Sequence, residues 1–178
     1  DIDTPYKNGN WELLADILLK SNAIGRMPKT VIIKILPIII SGLETATKEH
    51  EDSFSYHYRL GQMYHLAGKY VDRKYFGKSI DVLKKAKEIS PKRQVTDLLL
   101  AQVYYLERDI EKAINIAEDL VKKNPDIGEV YWLAGILYDA QGEYEKSYVY
   151  MTAAVEKGRK PKNMSENMLY ISVLGRFN

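Results

Sequence analysis

The sequence predicts an all-α fold, an α-solenoid built from antiparallel helix pairs, and three observations carry the prediction. A small residue followed three positions later by tyrosine recurs along the chain. Gly61 precedes Tyr64, Ala101 precedes Tyr104 and Gly135 precedes Tyr138, with Met168 and Ile171 as a fourth, altered copy. The copies are spaced by 40, 34 and 33 residues, and self-similarity near that period marks stacked two-helix units. Second, each full copy is followed by another small residue, Ser79, Ala113 or Ser147. Leu83, Ala117 and Met151 lie four positions further on, the spacing of neighbours on one helix face. Third, Pro91 and Pro125 stand where the second helices must stop, because proline cannot continue a helix. The pattern implies about nine helices and no sheet.

Taken in order, residues 1–52 read as a divergent helical hairpin capping the N-terminal end. Trp11 to Lys20 forms its first helix, with Trp11, Leu14, Ile17 and Leu18 on one face. Pro28 suits the first turn of a second helix running to about His50, and Pro37 inside it is expected to kink it. The β-branched run within Val31–Ile40 is the one place where local preference leans toward a strand. Residues 53–163 hold three repeats. In each, the small residue in mid-helix lets the paired helix approach closely. Gly68, Gly142 and Gly175 are expected to end the first helices in the left-handed conformation. Arg108 stands at that place in the second repeat and must accept a strained or different turn. A six-residue insertion, Val71–Phe76, accounts for the longer first spacing. Residues 164–178 read as the first helix of a truncated fourth repeat, whose Met168, Leu169, Ile171 and Val173 lack a covering helix. The opening Asp1-Ile-Asp-Thr and the closing Gly175-Arg-Phe-Asn178 suggest a domain excised from a longer polypeptide.

Composition narrows the function. The 178 residues are 46% hydrophobic and 28% charged, with 26 basic and 24 acidic residues spread along the chain. That balance offers no basic face for nucleic acid. The 14 tyrosines lack the interleaved basic residues of a stacking platform for single strands. With no cysteine, disulfides and thiolate metal sites are excluded. The longest apolar run, Val31 to Ile40, is too short to span a bilayer and contains Lys34 and Pro37. It reads as a buried helix face.

The repeated Leu60-Gly61-x-x-Tyr64 and Gly68-Lys69-Tyr70 motifs, with their later copies, resemble the tetratricopeptide repeat family closely. Two stretches, Gly68–Phe76 and Glu88–Gln94, are also similar to the C-terminal repeat tails of O-antigen ligase-like membrane glycosyltransferases. Asp1–Tyr6 would then follow the last membrane span of such an enzyme, whose transfer chemistry lies outside these residues.

The tetratricopeptide resemblance implies a concave face lined by the first helices, the usual recognition surface of such solenoids. The family register places Tyr58, Gln62 and His65 there from the first repeat. Leu98, Gln102 and Tyr105 come from the second, and Trp132, Ile136 and Asp139 from the third. Aromatic and amide groups with one acid suit an extended or helical peptide. The family's clamp for carboxylate tails is absent, since its positions hold Tyr58, Gln62, Glu129 and Leu133. His50, His57 and His65 lack the i, i+4 spacing of a zinc site and read as solvated or groove-lining. No phosphate loop, nucleophile elbow or carboxylate pair is present, so no catalytic residue, metal or cofactor is expected. The reading is a non-catalytic scaffold that binds a protein or peptide through its groove, with no nucleic-acid partner. One alternative is an extracytoplasmic accessory domain of a membrane-tethered ligase-like parent. The other is a structural solenoid self-associating through its C-terminal end. The first alternative places the chain on the outer face of a membrane, and the other readings place it in the cytoplasm.

Overall fold

A computed structural model describes residues 11–20 and 24–177. Among them run nine α-helices and no strand: α1 (Trp11–Lys20), α2 (Lys29–Glu49), α3 (Phe54–Tyr70), α4 (Tyr75–Ile89), α5 (Gln94–Leu106), α6 (Ile110–Lys123), α7 (Gly128–Gln141), α8 (Tyr144–Glu156) and α9 (Met164–Gly175). A short 3-10 turn, Ile24–Arg26, precedes α2. Asp1–Tyr6, on which part of the ligase-tail resemblance rests, lies outside the described residues. The chain divides into two compact units, Asp1–Thr96 and Asp97–Asn178, with the boundary inside α5. The boundary falls within the second of the three repeats read from the sequence.

In the first unit α2 is the central core element. Ile32, Leu36, Ile39, Ile40 and Leu43 meet Ala15 and Leu18 of α1 and Leu60, Met63, Tyr64 and Ala67 of α3. Burying each large aliphatic side chain is worth roughly 1.5–3 kcal/mol. That gain overrides the strand preference of the β-branched run. Helix α2 continues through Pro37. At 21 residues it outruns the apolar stretch that begins it, and its length and hydropathy would suit a membrane span by composition. A third of that stretch is buried in the unit's core.

The α3–α4 and α7–α8 pairs are locked by small residues, as the spacing predicts. A Cβ on Gly61 would sit 2.6 Å from Leu83 Cδ2, and one on Gly135 would sit 2.5 Å from Met151 Cγ. Ser79, fully buried, donates its hydroxyl to the Gly61 carbonyl at 2.8 Å. In the middle repeat Ala101, Ala113 and Ala117 are all fully buried.

Two turn expectations are corrected. Gly142 does end α7 in the left-handed region at φ 87°, and Arg108 adopts φ 66° without a glycine's freedom. Gly68, however, lies inside α3, where a Cβ would come within 2.3 Å of Phe76. It is needed for close approach rather than for a cap. Gly175 closes α9 without a positive φ, and the other left-handed glycine among the described residues is Gly158. The insertion Val71–Phe76 is divided between a short turn over 71–74 and the start of α4, which Tyr75 and Phe76 open with Phe76 buried.

Candidate ligand-binding face

In the first unit Tyr58, Gln62 and His65 share one face of α3 by their spacing. Tyr58 stacks on Phe54 at 5.5 Å, and Arg93 lies 4.3 Å over the Phe54 ring. Burial pushes the Tyr58 hydroxyl's pKa up, partly offset by Arg59. Gln62 Oε1 accepts from Arg59 Nη1 at 2.9 Å, and Arg59 pairs with Asp16 of α1 at 2.6 Å. His65 is mostly enclosed. Its Nε2 has no hydrogen-bond partner among the described residues, and its ring centroid is 6.3 Å from that of Phe76. Burial, and then the charge of Lys69 one turn on, lower its pKa to about 4. It is therefore a neutral, largely packed group. His57 is likewise not solvated: it is buried, with Nδ1 2.9 Å from the Ser53 carbonyl oxygen.

In the second unit α5 presents Gln102 and Tyr105 to solvent, with Leu98 partly covered. Tyr105 is 36% exposed. On α7, Ile136 and Asp139 are half-buried, and Asp139 accepts from Arg176 at 2.5 Å. Trp132 corrects the expectation of an open aromatic anchor. It is 2% exposed, with the Tyr170 ring of α9 at 5.8 Å and the Arg159 guanidinium 4.6 Å over its own ring. An indole this large, next to a helix that approaches α7 with a tyrosine, is absorbed into the helix contact. Its Nε1 has no partner among the described residues.

Arg159, one of the basic residues spread along the chain, is a buried hub. Its Nε pairs with Glu129 at 2.7 Å and its Nη2 with Glu166 at 2.9 Å, while Lys162 reaches the same Glu129 oxygen at 3.0 Å. The pairing consumes Glu129, one of the positions where a carboxylate clamp would need a cation. Burial acts to raise the pKa of Glu166, but the Lys162 amide and Arg159 outweigh it and the value is lowered. The acidic run Glu49, Glu51 and Asp52 is exposed.

A further regularity was not read from the sequence. Tyr64 and Tyr138 donate their hydroxyls to Glu44 and Glu118, each twenty residues earlier on the preceding second helix. Lys78, Lys112 and Lys146 lie over the rings of Tyr64, Tyr104 and Tyr138 at 5.4, 5.5 and 5.0 Å. These lysines immediately precede Ser79, Ala113 and Ser147, so the signal lay beside residues already aligned. An open notch of about 570 Å³ lies between the α5–α6 turn and the end of α7. It is lined by Glu107, Arg108, Asp109, Glu111 and Gln141, and none of the candidate face residues borders it. Among the described residues no group of three or more histidine or acidic side chains is placed to hold a metal.

Residues 98–162 match the tetratricopeptide repeat family, so the second unit carries tetratricopeptide repeats. Over 82 residues the chain is 29% identical to the BBSome complex member BBS4 of Bos taurus, covering 46% of this chain and 16% of that protein. The chain thus spans only about a sixth of that relative's length. Among solved structures it is similar to TTC0263, a thermophilic tetratricopeptide protein of Thermus thermophilus. That match has a TM-score of 0.72 at 18% identity, over 96% of this chain and 83% of the other. It is also similar to YrrB, described as a TPR protein with an unusual peptide-binding site. There the TM-score is 0.57 at 15% identity, over 83% of this chain and 66% of the other. Together with the helix pairs, these likenesses make the fold an all-α solenoid of the tetratricopeptide type.

Proposed function

We propose that the chain is a non-catalytic interaction module that binds a peptide or a protein segment through the exposed faces of its first helices. The observation that carries this reading is Tyr105, an aromatic side chain on α5 left open beside the exposed amide of Gln102. Tyrosine anchors contacts at low entropic cost, and flanking amides can pair an extended peptide's backbone. Ile136 on α7 supplies apolar contact. In the first unit Tyr58 and Gln62 of α3 also set a ring beside an amide, but both are half-buried and the Gln62 oxygen accepts from Arg59. The peptide-binding description of YrrB, a protein of like fold, supports the class of ligand.

Peptides selected from a displayed random library on the wild-type chain provide the probe. Tyr105→Ala combined with Gln102→Ala should weaken their binding by at least about tenfold, the effect of losing one hot-spot residue. Val149→Ala, an exposed change on α8, should leave binding unaltered. If selected peptides bind the double variant as tightly as the parent, the face is not the site. Trp132→Ala is unsuitable for this purpose, because it would disturb the α7–α9 contact.

A further inference from the structure

One end of the first unit gathers charge of a single sign. Helices α2 and α3 run antiparallel across the short connection over 50–53, so α2 begins at the end where α3 closes. Ile24 and Met27 ahead of α2, and Tyr70 and Tyr75 at the α3–α4 turn, pack against the same core. From Ile24 to Lys34 and from Lys69 to Tyr75 the chain carries six cations, Arg26, Lys29, Lys34, Lys69, Arg73 and Lys74, and a single acid, Asp72. Along the sequence these cations look scattered, and the antiparallel pairing brings them together. All six are exposed. Asp72 is already engaged by Lys74, through its ammonium at 3.1 Å and its amide at 3.0 Å.

The surroundings leave this charge in place. Helices α2 and α4 both begin at this end, and neither has an acidic residue in its first turn or a side-chain acceptor at its N-cap. The partial positive charge of their N-termini is therefore not offset locally. Lys69 sits in the last turn of α3, where it answers that helix's negative end. Aromatic rings back three of the cations: Lys69 lies over Tyr70 at 6.0 Å, Arg73 over Phe76 at 5.7 Å and Lys74 over Tyr75 at 5.8 Å.

Aliphatic side chains stand among the cations. Val31, Ile33 and Val71 are 40%, 39% and 36% exposed. Helical side chains tilt toward the N-terminus, so those on the opening turns of α2 lean toward this end. Val71, Arg73 and Lys74 belong to the insertion that distinguishes the first repeat from the two after it.

We infer that this end of the first unit docks on an anionic lipid bilayer, its cations among the headgroup phosphates and Val31, Ile33 and Val71 at the acyl boundary. Charge complementarity sets the sign of the partner, and the aliphatic side chains set its kind. A soluble polyanion would leave them in water, whereas a headgroup layer accommodates both. Each cation near such a surface contributes roughly fivefold in affinity. Three small aliphatic groups add little area, so the attachment is reversible and weakened by salt. It is separate from the peptide-binding reading, whose carrying residues Tyr105 and Gln102 lie in the second unit.

Co-sedimentation of the full chain with vesicles tests the inference. The parent should bind vesicles of equal parts phosphatidylglycerol and phosphatidylcholine, and not vesicles of phosphatidylcholine alone. Lys29→Gln combined with Lys69→Gln should weaken binding by at least about tenfold. Lys122→Gln combined with Lys123→Gln removes the same charge from the second unit and should bind like the parent. Ile33→Ser combined with Val71→Ser keeps every charge and should bind severalfold more weakly. All these positions are exposed, so circular dichroism should show parental helicity. A parent that ignores the anionic vesicles, or binds the neutral ones equally well, would overturn the inference. So would equal losses from the two lysine pairs, which would reduce the effect to net charge. An Ile33 and Val71 variant that binds as tightly as the parent would also overturn it, and would turn the surface over to a soluble polyanion.

Discussion

The enclosed His65 gives the first unit a measurable dependence on pH. In the unfolded chain its imidazole titrates near the ordinary 6.5, whereas in the fold its pKa is lowered to about 4. Between those values the unfolded state binds a proton that the folded state refuses. Stability contributed by the neutral ring is therefore full above pH 6.5 and is lost as pH falls toward 4. At about 1.4 kcal/mol per pH unit, lowering pH from 7 to 5 should cost about 2 kcal/mol, rising to about 3 kcal/mol at pH 4. Burial is the larger cause and the charge of Lys69 the smaller, so added salt should diminish the effect only slightly. His65→Leu removes the titration along with the unpartnered Nε2. Urea unfolding followed by circular dichroism across this range should show the parent losing stability relative to the variant by that amount. A difference between the two that stays constant from pH 7 to pH 5 would refute the reasoning and place the ring in contact with water. Asp72 and Asp109 have pKa values lowered by hydrogen bonds, to Lys74 and Lys112 respectively, and titrate below this window.

Two further perturbations probe how the helices are held. Gly61→Leu places a side chain where even a Cβ meets Leu83, whose own side chain is fully buried and has no room to yield. It should cost roughly 1–3 kcal/mol or more, and an unchanged thermal midpoint would contradict the register. Arg159→Leu removes the partner of Glu129 and Glu166 and should destabilise the attachment of α9 by about 1–3 kcal/mol. Hydrogen exchange should accelerate in α9 well before α7 and α8, and unaltered protection there would deny Arg159 its structural role.

The helix pairs were legible because three signals coincide: small residues in mid-helix, tyrosines one turn on, and prolines past the second helices. The boundaries of α1 and the extent of α2 followed from Trp11, Pro28 and His50. The residues misjudged are those whose roles depend on a neighbour distant in sequence. Gly68 resembles a cap until Phe76 is brought onto it. Arg159 resembles a surface cation until α9 returns with Glu166, and Trp132 resembles a groove anchor until Tyr170 arrives. The ligase-like stretches Gly68–Phe76 and Glu88–Gln94 coincide with the ends of helices and the turns joining them. There Asp72 accepts the Lys74 amide and the Ser90 amide closes α4 on Ala86. Such residues serve local turn chemistry common to many helical hairpins.

The size matching between paired helices bears on how a chain of this kind can be rearranged. Gly61 answers Leu83 and Gly135 answers Met151, while the middle repeat places alanine in both helices, at Ala101 and Ala117. The Gly61–Leu83 and Gly135–Met151 locks each lie within one hairpin. A whole hairpin can therefore be copied or moved as a cassette without spoiling its internal fit. A lone second helix cannot. Setting the leucine of α4 against Ala101 would bring two obstructions together, and setting the alanine of α6 against Gly61 would leave a hole where Leu83 stood. Duplication by hairpins preserves such locks, whereas shuffling by helices breaks them.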